Sequence, residues 1–105
     1  MSDREHIILA YRFLLGRICR KEVPLKRISA ESWADTYAGN VEFEADGWRL
    51  VFFNDCDSLD YTDHLITPSG VRIDFYEKEI PVDDPLSLAE FDLNGLLEDR
   101  LKEAA

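Results

Sequence analysis

Cysteine, long apolar runs and catalytic signature motifs are all scarce in this chain, and each scarcity removes a class of protein. There are two cysteines in 105 residues, Cys19 inside a helical pattern and Cys56 inside an acidic stretch. Neither the spacing of a disulfide framework nor a metal-binding C-x-x-C is present, so both read as reduced thiols. No apolar stretch approaches the roughly eighteen residues of a membrane span, so no membrane partner is expected. The opening Met-Ser-Asp-Arg-Glu-His lacks the basic-then-apolar layout of a signal peptide, and a cytoplasmic location follows as an expectation. Linkers and low-complexity tracts are missing as well, so residues 1–105 are expected to form a single compact domain. G-x-S-x-G, a phosphate-binding glycine loop and H-E-x-x-H are absent too, so neither an enzyme nor a cofactor is expected.

What the chain has in excess is negative charge. Its formal net charge is -10, with 46% apolar and 32% charged residues, a composition that folds rather than stays disordered. The charge is polarised. Residues 1–39 carry seven basic and five acidic side chains, whereas residues 40–105 carry five basic and seventeen acidic ones. Between Arg12 and Arg27 six basic residues face only Glu22. A phosphate-binding surface needs a basic field, and the summed field here is strongly negative, so no nucleic-acid partner is expected.

Periodicity divides the chain into elements. Ser2 and Glu5 form a capping box, and Ile7, Ile8, Tyr11, Leu14, Leu15 and Ile18 then repeat at three and four, the stripe of a first helix. Pro24 ends it. A second short helix is predicted from Ser29 as N-cap to Gly39, with Ile28 and Trp33 as a hydrophobic staple. Asp46-Gly47 between alternating runs demands a two-residue hairpin turn. The register follows: Ala45 opposes Trp48, Glu44 opposes Arg49, Phe43 opposes Leu50, Glu42 opposes Val51 and Val41 opposes Phe52. One face is then wholly apolar, while Val51 and Phe53 on the other require cover. A second hairpin turns at Thr67-Pro68-Ser69-Gly70, pairing Thr67 with Val71, Leu65 with Ile73 and Asp63 with Phe75 on one face. Ile66 with Arg72, His64 with Asp74 and Thr62 with Tyr76 share the other. Asp83-Asp84-Pro85 starts a last helix with Leu86, Ala89, Leu93, Leu96, Leu97 and Leu101 on its inner face, and Asn94-Gly95 marks a kink or an early end. The expected fold class is α+β: two N-terminal helices, a four-stranded antiparallel sheet of two hairpins, and a C-terminal helix.

One segment stands out on this frame. N-D-C-D-S-L-D-Y-T-D, from Asn54 to Asp63, places Asp55, Asp57, Asp60 and Asp63 directly after the most apolar stretch of the chain. Read as the loop joining the two hairpins, it fails the calcium-loop template, which puts an oxygen ligand at position 5, glycine at 6 and glutamate at 12 where this chain has Leu59, Asp60 and Ile66. A looser divalent-metal site on the Asp55 to Asp63 loop is one alternative. Self-repulsion does not require a cation, because two charges about 7 Å apart in water repel by roughly 0.6 kcal/mol. The plain reading is therefore a solvated acidic loop. The functional reading is recognition of a protein with a basic surface, through Asp55, Asp57, Asp60 and Asp63 with Phe53 and Tyr61 as aromatic anchors. A further alternative is a small enzyme using His64, with Asp74 opposite it to fix the imidazole tautomer.

The stretch from Asp35 to Tyr61 resembles a family of small uncharacterised bacterial proteins. Its most specific part is G-W-R-L-x-x-F-N-D-C-D-x-L-D-Y, Gly47 to Tyr61. The resemblance implies no activity. In size and acidity the chain is similar to small bacterial immunity proteins and inhibitors that neutralise basic toxins or nucleases.

Overall fold

The apolar stripe expected near the N-terminus forms a helix, α1, Asp3–Cys19, that buries Ile8, Tyr11, Leu14, Leu15, Ile18 and Cys19. The structure is a computed structural model describing residues 3–75 and 91–104, with the backbone alone at 60, 61 and 91–94. Ser2 of the capping box, Tyr76 of the second hairpin, and Asp83, Asp84, Pro85, Leu86 and Ala89 of the last helix lie outside the described residues. Helix α1 closes with the reciprocal bonds of a Schellman motif: Lys21 N–H donates to Ile18 O at 3.0 Å and Glu22 N–H to Arg17 O at 2.8 Å. Lys21 takes the left-handed position usually given to glycine, with φ 61°.

After α1 come five strands: β1 (Lys26–Arg27), β2 (Ala38–Ala45), β3 (Trp48–Asp55), β4 (Ser58–Ile66) and β5 (Arg72–Asp74), followed by helix α2 (Phe91–Glu103). The strands form one antiparallel meander in the order β1-β2-β3-β4-β5. This corrects the expected architecture twice. The sheet has five strands among the described residues, not four, because Lys26 and Arg27 pair with Glu44 and Phe43. The second N-terminal helix is absent. Ser29 does not cap a helix; its hydroxyl accepts from Glu42 N–H at 2.7 Å, holding the chain to the edge of β2. Ile28 is 37% exposed and staples nothing, while Trp33 alone is buried. One apolar anchor cannot sustain an amphipathic face. The segment therefore makes a single turn, with Thr36 N–H reaching Ser32 O at 3.1 Å and Asp35 N–H reaching the Ser32 hydroxyl at 3.2 Å.

The β2–β3 register is the expected one at all five pairs and continues to Ala38 opposite Asp55. Asp46 and Gly47 both take positive φ, 51° and 83°, as a type I′ turn demands. Val41, Phe43, Leu50 and Phe52 are fully buried on the apolar face and join α1 and the Leu97 and Leu101 side chains of α2 in one core. On the other face Val51 is buried and Phe53 half-buried. Arg49 reaches diagonally to Glu42, at 3.4 Å, where a pair with Glu44 was expected. Leu96, expected on the inner face of α2, is 45% exposed, and the helix runs on past Asn94-Gly95 without ending.

The second hairpin also keeps its register where it is described, pairing His64 with Asp74, Leu65 with Ile73 and Ile66 with Arg72. Two irregularities in β4 rearrange what lies before it. Val51 opposes His64 but Phe52 opposes Thr62, so Asp63 is an extra residue; Phe53 opposes Tyr61 but Asn54 opposes Leu59, so Asp60 is another. The core therefore receives Leu65, Thr62 and Leu59, three apart. Asp63 does not share the face of Leu65, although Phe75 N–H still bonds its carbonyl at 2.9 Å. Thr62, fully buried, spends its hydroxyl on the Tyr11 hydroxyl at 2.9 Å. Tyr11 itself stacks between Trp48 and Phe75, at centroid distances of 6.4 and 6.0 Å.

Lys21 gives this fold a simple check. A side chain in the left-handed region costs about 1–2 kcal/mol, against which glycine loses about 0.5–1 kcal/mol of unfolded-state freedom. Lys21→Gly is expected to raise the urea midpoint by an amount worth roughly 0.5–1 kcal/mol at unchanged slope. A lowered midpoint would mean that the lysine side chain contributes more than its backbone strain costs.

Candidate functional site

The acidic segment is a hairpin, not a loop. β3 ends at Asp55, β4 begins at Ser58, and the turn between them is Cys56-Asp57, with φ 53° and 70°. Both values belong to a type I′ turn, whose preferred residues are asparagine and glycine. The four aspartates, contiguous in sequence, separate accordingly. Asp55 and Asp57 sit exposed at the turn, while Asp63 lies in β4 beside the Phe52 and Val51 pairs, roughly 10 Å up the ladder at about 3.3 Å per residue. Asp60 and Tyr61 belong to β4 between them; their side chains lie outside the description. Among the described residues no group of three or more His, Cys, Asp or Glu side chains comes together in a way that could hold a metal ion.

An aromatic residue that sequence reasoning missed completes this end of the sheet. Continuing the β2–β3 ladder one step past Ala38 and Asp55 brings Tyr37 opposite Cys56, and Cys56 N–H donates to Tyr37 O at 2.8 Å. Tyr37 is 76% exposed, the most exposed of the large apolar side chains described. The Tyr37 phenol is raised above its ordinary pKa, chiefly by the nearby Cys56 side chain, with smaller contributions from desolvation and the Asp55 charge. The register that reveals this pair was already implied by Asp46-Gly47. A helix assigned to residues 29–39 hid it.

Buried polar groups fix the backbone here. Asn54 is fully buried, and its amide donates to Trp33 O at 3.0 Å and Thr36 O at 2.6 Å, tying the segment that ends at Tyr37 to the end of β3. On the opposite side Glu98 of α2 accepts from Leu59 N–H at 2.6 Å, and Lys102 bridges Glu98 at 3.4 Å and Asp57 at 4.0 Å. Tyr37, Asp55 and Asp57 thus project from a backbone held from both flanks. Phe53, expected as an anchor, is half-buried on the sheet.

His64 opposes Asp74 in the ladder but does not bond it. Its Nδ1 lies 2.7 Å from Asp63 Oδ2, while Asp74 takes Arg72 at 3.0 Å. The bulge at Asp63 turns that carboxylate to its neighbour's imidazole, and the expected His64–Asp74 couple is not formed. A cavity of about 510 Å³ lies elsewhere, where the segment after α1 meets the end of α2; Ile18, Val23 and Leu25 line it, together with Lys21, Arg100 and Glu103. Arg100 and Glu103, one turn apart on α2, neutralise each other at its wall at 3.0 Å. Near its wall burial pushes the Cys19 thiol up, against the lowering influence of Arg100 and Arg20.

These features define an α+β domain in which, among the described residues, a five-stranded antiparallel meander carries helices on one face and an acidic turn at one end. A family model described as a domain of unknown function (DUF7693) matches residues 12–103, and the chain belongs to that family. No curated protein and no solved structure matches it. Among the described residues no helix is long and apolar enough to cross a membrane.

Two measurements check the geometry of the turn. Cys56→Asn combined with Asp57→Gly is expected to stabilise the fold by about 1 kcal/mol, since both residues suit type I′ dihedrals; a loss of stability would mean that the native side chains outweigh the strain. Separately, Cys56→Ala should lower the phenolate titration of Tyr37 toward the ordinary tyrosine value, because the Cys56 side chain favours the protonated phenol. An unshifted titration curve would mean that Cys56 does not act on the phenol.

Proposed function

We propose that this chain is a non-catalytic, acidic protein-binding module of the inhibitor or immunity type. It takes up a protein with a basic surface through Tyr37, Asp55 and Asp57. The observation that carries the reading is Tyr37, 76% exposed and flanked by two exposed aspartates on a backbone fixed by Asn54 and the Cys56-Asp57 turn. A large aromatic ring on only two rotatable side-chain bonds has little ordering entropy to lose on binding, which is what makes tyrosine an effective interface anchor. The net charge of -10 adds long-range attraction for a basic partner and speeds encounter in a salt-dependent way. The pair between Asp57 and Lys102, both exposed and 4.0 Å apart, is weak enough to be exchanged for a partner's cation.

Asp60, Asp63, Phe53 and Tyr61 play lesser parts in this reading. Asp63 is engaged with His64 and Phe53 is half-buried, so the anchor passes to Tyr37. The same reading places the protein in the cytoplasm and takes the Gly47 to Tyr61 motif as the segment shared by bacterial members of the family.

The test uses the wild-type chain and a Tyr37→Ala, Asp57→Asn variant as baits at low salt, followed by titration of the retained protein against each. A basic partner should bind the wild type at least about tenfold more tightly than the variant, and lose about tenfold or more between roughly 50 and 300 mM salt. Equal affinities for the two baits would move the interface elsewhere, and salt-independent binding would rule out the charge-based reading.

A further inference from the structure

The lane beside β2 is only half filled. β1 covers Glu44 and Phe43 with Lys26 and Arg27, and Ile28 N–H and Ser29 N–H both reach Glu42 O, at 2.8 and 3.2 Å, before the chain leaves the sheet. β2 runs on from Val41 to Ala38, paired among the described residues to β3 alone. Alternation fixes which of its backbone groups look outward. Glu42 turns its N–H and C=O to Ser29, and Tyr37 turns its C=O to Cys56, so Asn40 and Ala38 turn theirs to the open side, roughly 6.6 Å apart. Both residues are exposed, and no hydrogen bond reaches those outward groups among the described residues. Charged side chains and proline, the usual guards of an open edge, are missing from Ala38, Gly39 and Asn40. On β5, at the other edge of the described sheet, Arg72 and Asp74 hold each other at 3.0 Å.

Building on the Tyr37 reading, on which this rests, we propose that the basic partner supplies an extended segment that fills this lane by strand addition, antiparallel to β2 and in line with β1. Backbone groups at strand spacing are matched by an extended chain, not by a helix. Charge decides between a foreign segment and a second copy. Glu31 and Asp35, in the segment joining β1 to β2, and Asp55, opposite Ala38, are exposed and make no ion pair among the described residues. Edge-to-edge pairing of two copies would crowd these carboxylates, whereas a basic segment neutralises them. Ala38 puts only a methyl group between the lane and Asp55. Two strand spacings, about 9.6 Å, separate the lane from β3, a gap that a lysine or arginine side chain crosses over that methyl. The segment therefore carries a basic residue opposite Ala38, and the position that follows comes opposite Tyr37.

The probe is a short acetylated peptide of alternating lysine and threonine, at low salt. Amide exchange read residue by residue by NMR should slow at least about tenfold at Ala38 and Asn40 on saturation, and stay unchanged with the glutamate-threonine counterpart. Lysines opposite Asn40 and Ala38 direct their N–H groups at β2, so N-methylation at the lysines should weaken binding at least about tenfold and N-methylation at the threonines should not. Asn40→Pro removes an N–H that β3 does not use and should weaken binding likewise. Unprotected Ala38 and Asn40 amides at about 1 mM peptide, equal binding of the glutamate peptide, or indifference to lysine N-methylation each overturn strand addition. Protection that grows with the concentration of the chain alone overturns it too, by making a second copy the occupant. Peptide binding that Tyr37→Ala weakens while both amides stay unprotected sinks strand addition and keeps the Tyr37 reading. Protection that Tyr37→Ala leaves unchanged supports strand addition and sinks the tyrosine anchor.

Discussion

Leu65, Thr62 and Leu59 all point from β4 into the core although they lie three residues apart, and a regular strand cannot do this. The constraint comes from β3, whose Leu50, Phe52 and Asn54 are buried at the ordinary spacing of two and must be matched across the ladder. Two extra residues in β4, Asp60 and Asp63, absorb the mismatch as bulges. Without them strict alternation from Leu65 would drive Asp63 and Tyr61 into the core and expel Thr62, whose hydroxyl completes the buried Tyr11 hydroxyl. Because Tyr11 is the pivot on which Trp48 and Phe75 stack, the seating of α1 on the sheet rests on the bulged strand.

The same constraint sorts the acidic residues. Asp63 is one of the extra residues, and its carboxylate is turned to His64 at 2.7 Å. Asp60 fills the other bulge. Half of the cluster therefore follows from the need to keep β3 and β4 aligned over a shared core. Asp55 and Asp57 have no such assignment. They stand exposed at the turn, with one weak contact from Lys102 to Asp57, on a segment held by buried groups that are expensive to break.

The physics that made the β2–β3 hairpin legible is local. Asp46-Gly47 specifies the turn and alternating side chains specify the face, so five pairs could be read from residue order alone. The second hairpin was legible for the same reason, through Gly70 with φ 94°. The β3–β4 turn has no such signal, because Cys56 and Asp57 adopt left-handed dihedrals that their residue types do not advertise. Bulges hide equally well: a period of three within a strand imitates neither a strand nor a helix. Residues 29–39 failed for another reason. Ser29, Trp33 and Gly39 are residue types that cap, staple and close helices, yet long-range bonds from Glu42 and Asn54 take their place. Tyr37 was lost with that assignment, although the ladder already pointed to it.

The Cys56-Asp57 turn shows how strain and surface are joined. Two non-glycine residues at positive φ cost on the order of 1–2 kcal/mol each, less for aspartate, whose short polar side chain tolerates this region. The fold recovers part of that through Cys56 N–H to Tyr37 O and Asp57 to Lys102. Asparagine and glycine would take the same turn without strain, but would remove both the thiol that raises the Tyr37 pKa and the carboxylate next to it in sequence. Backbone strain of this kind is tolerated where the side chains displayed have a use, and here an exposed tyrosine and two exposed carboxylates share one end of the sheet. On the proposed reading, the charge of the surrounding half of the chain acts in the same direction, drawing a basic surface toward Tyr37, the most exposed large apolar side chain among the described residues.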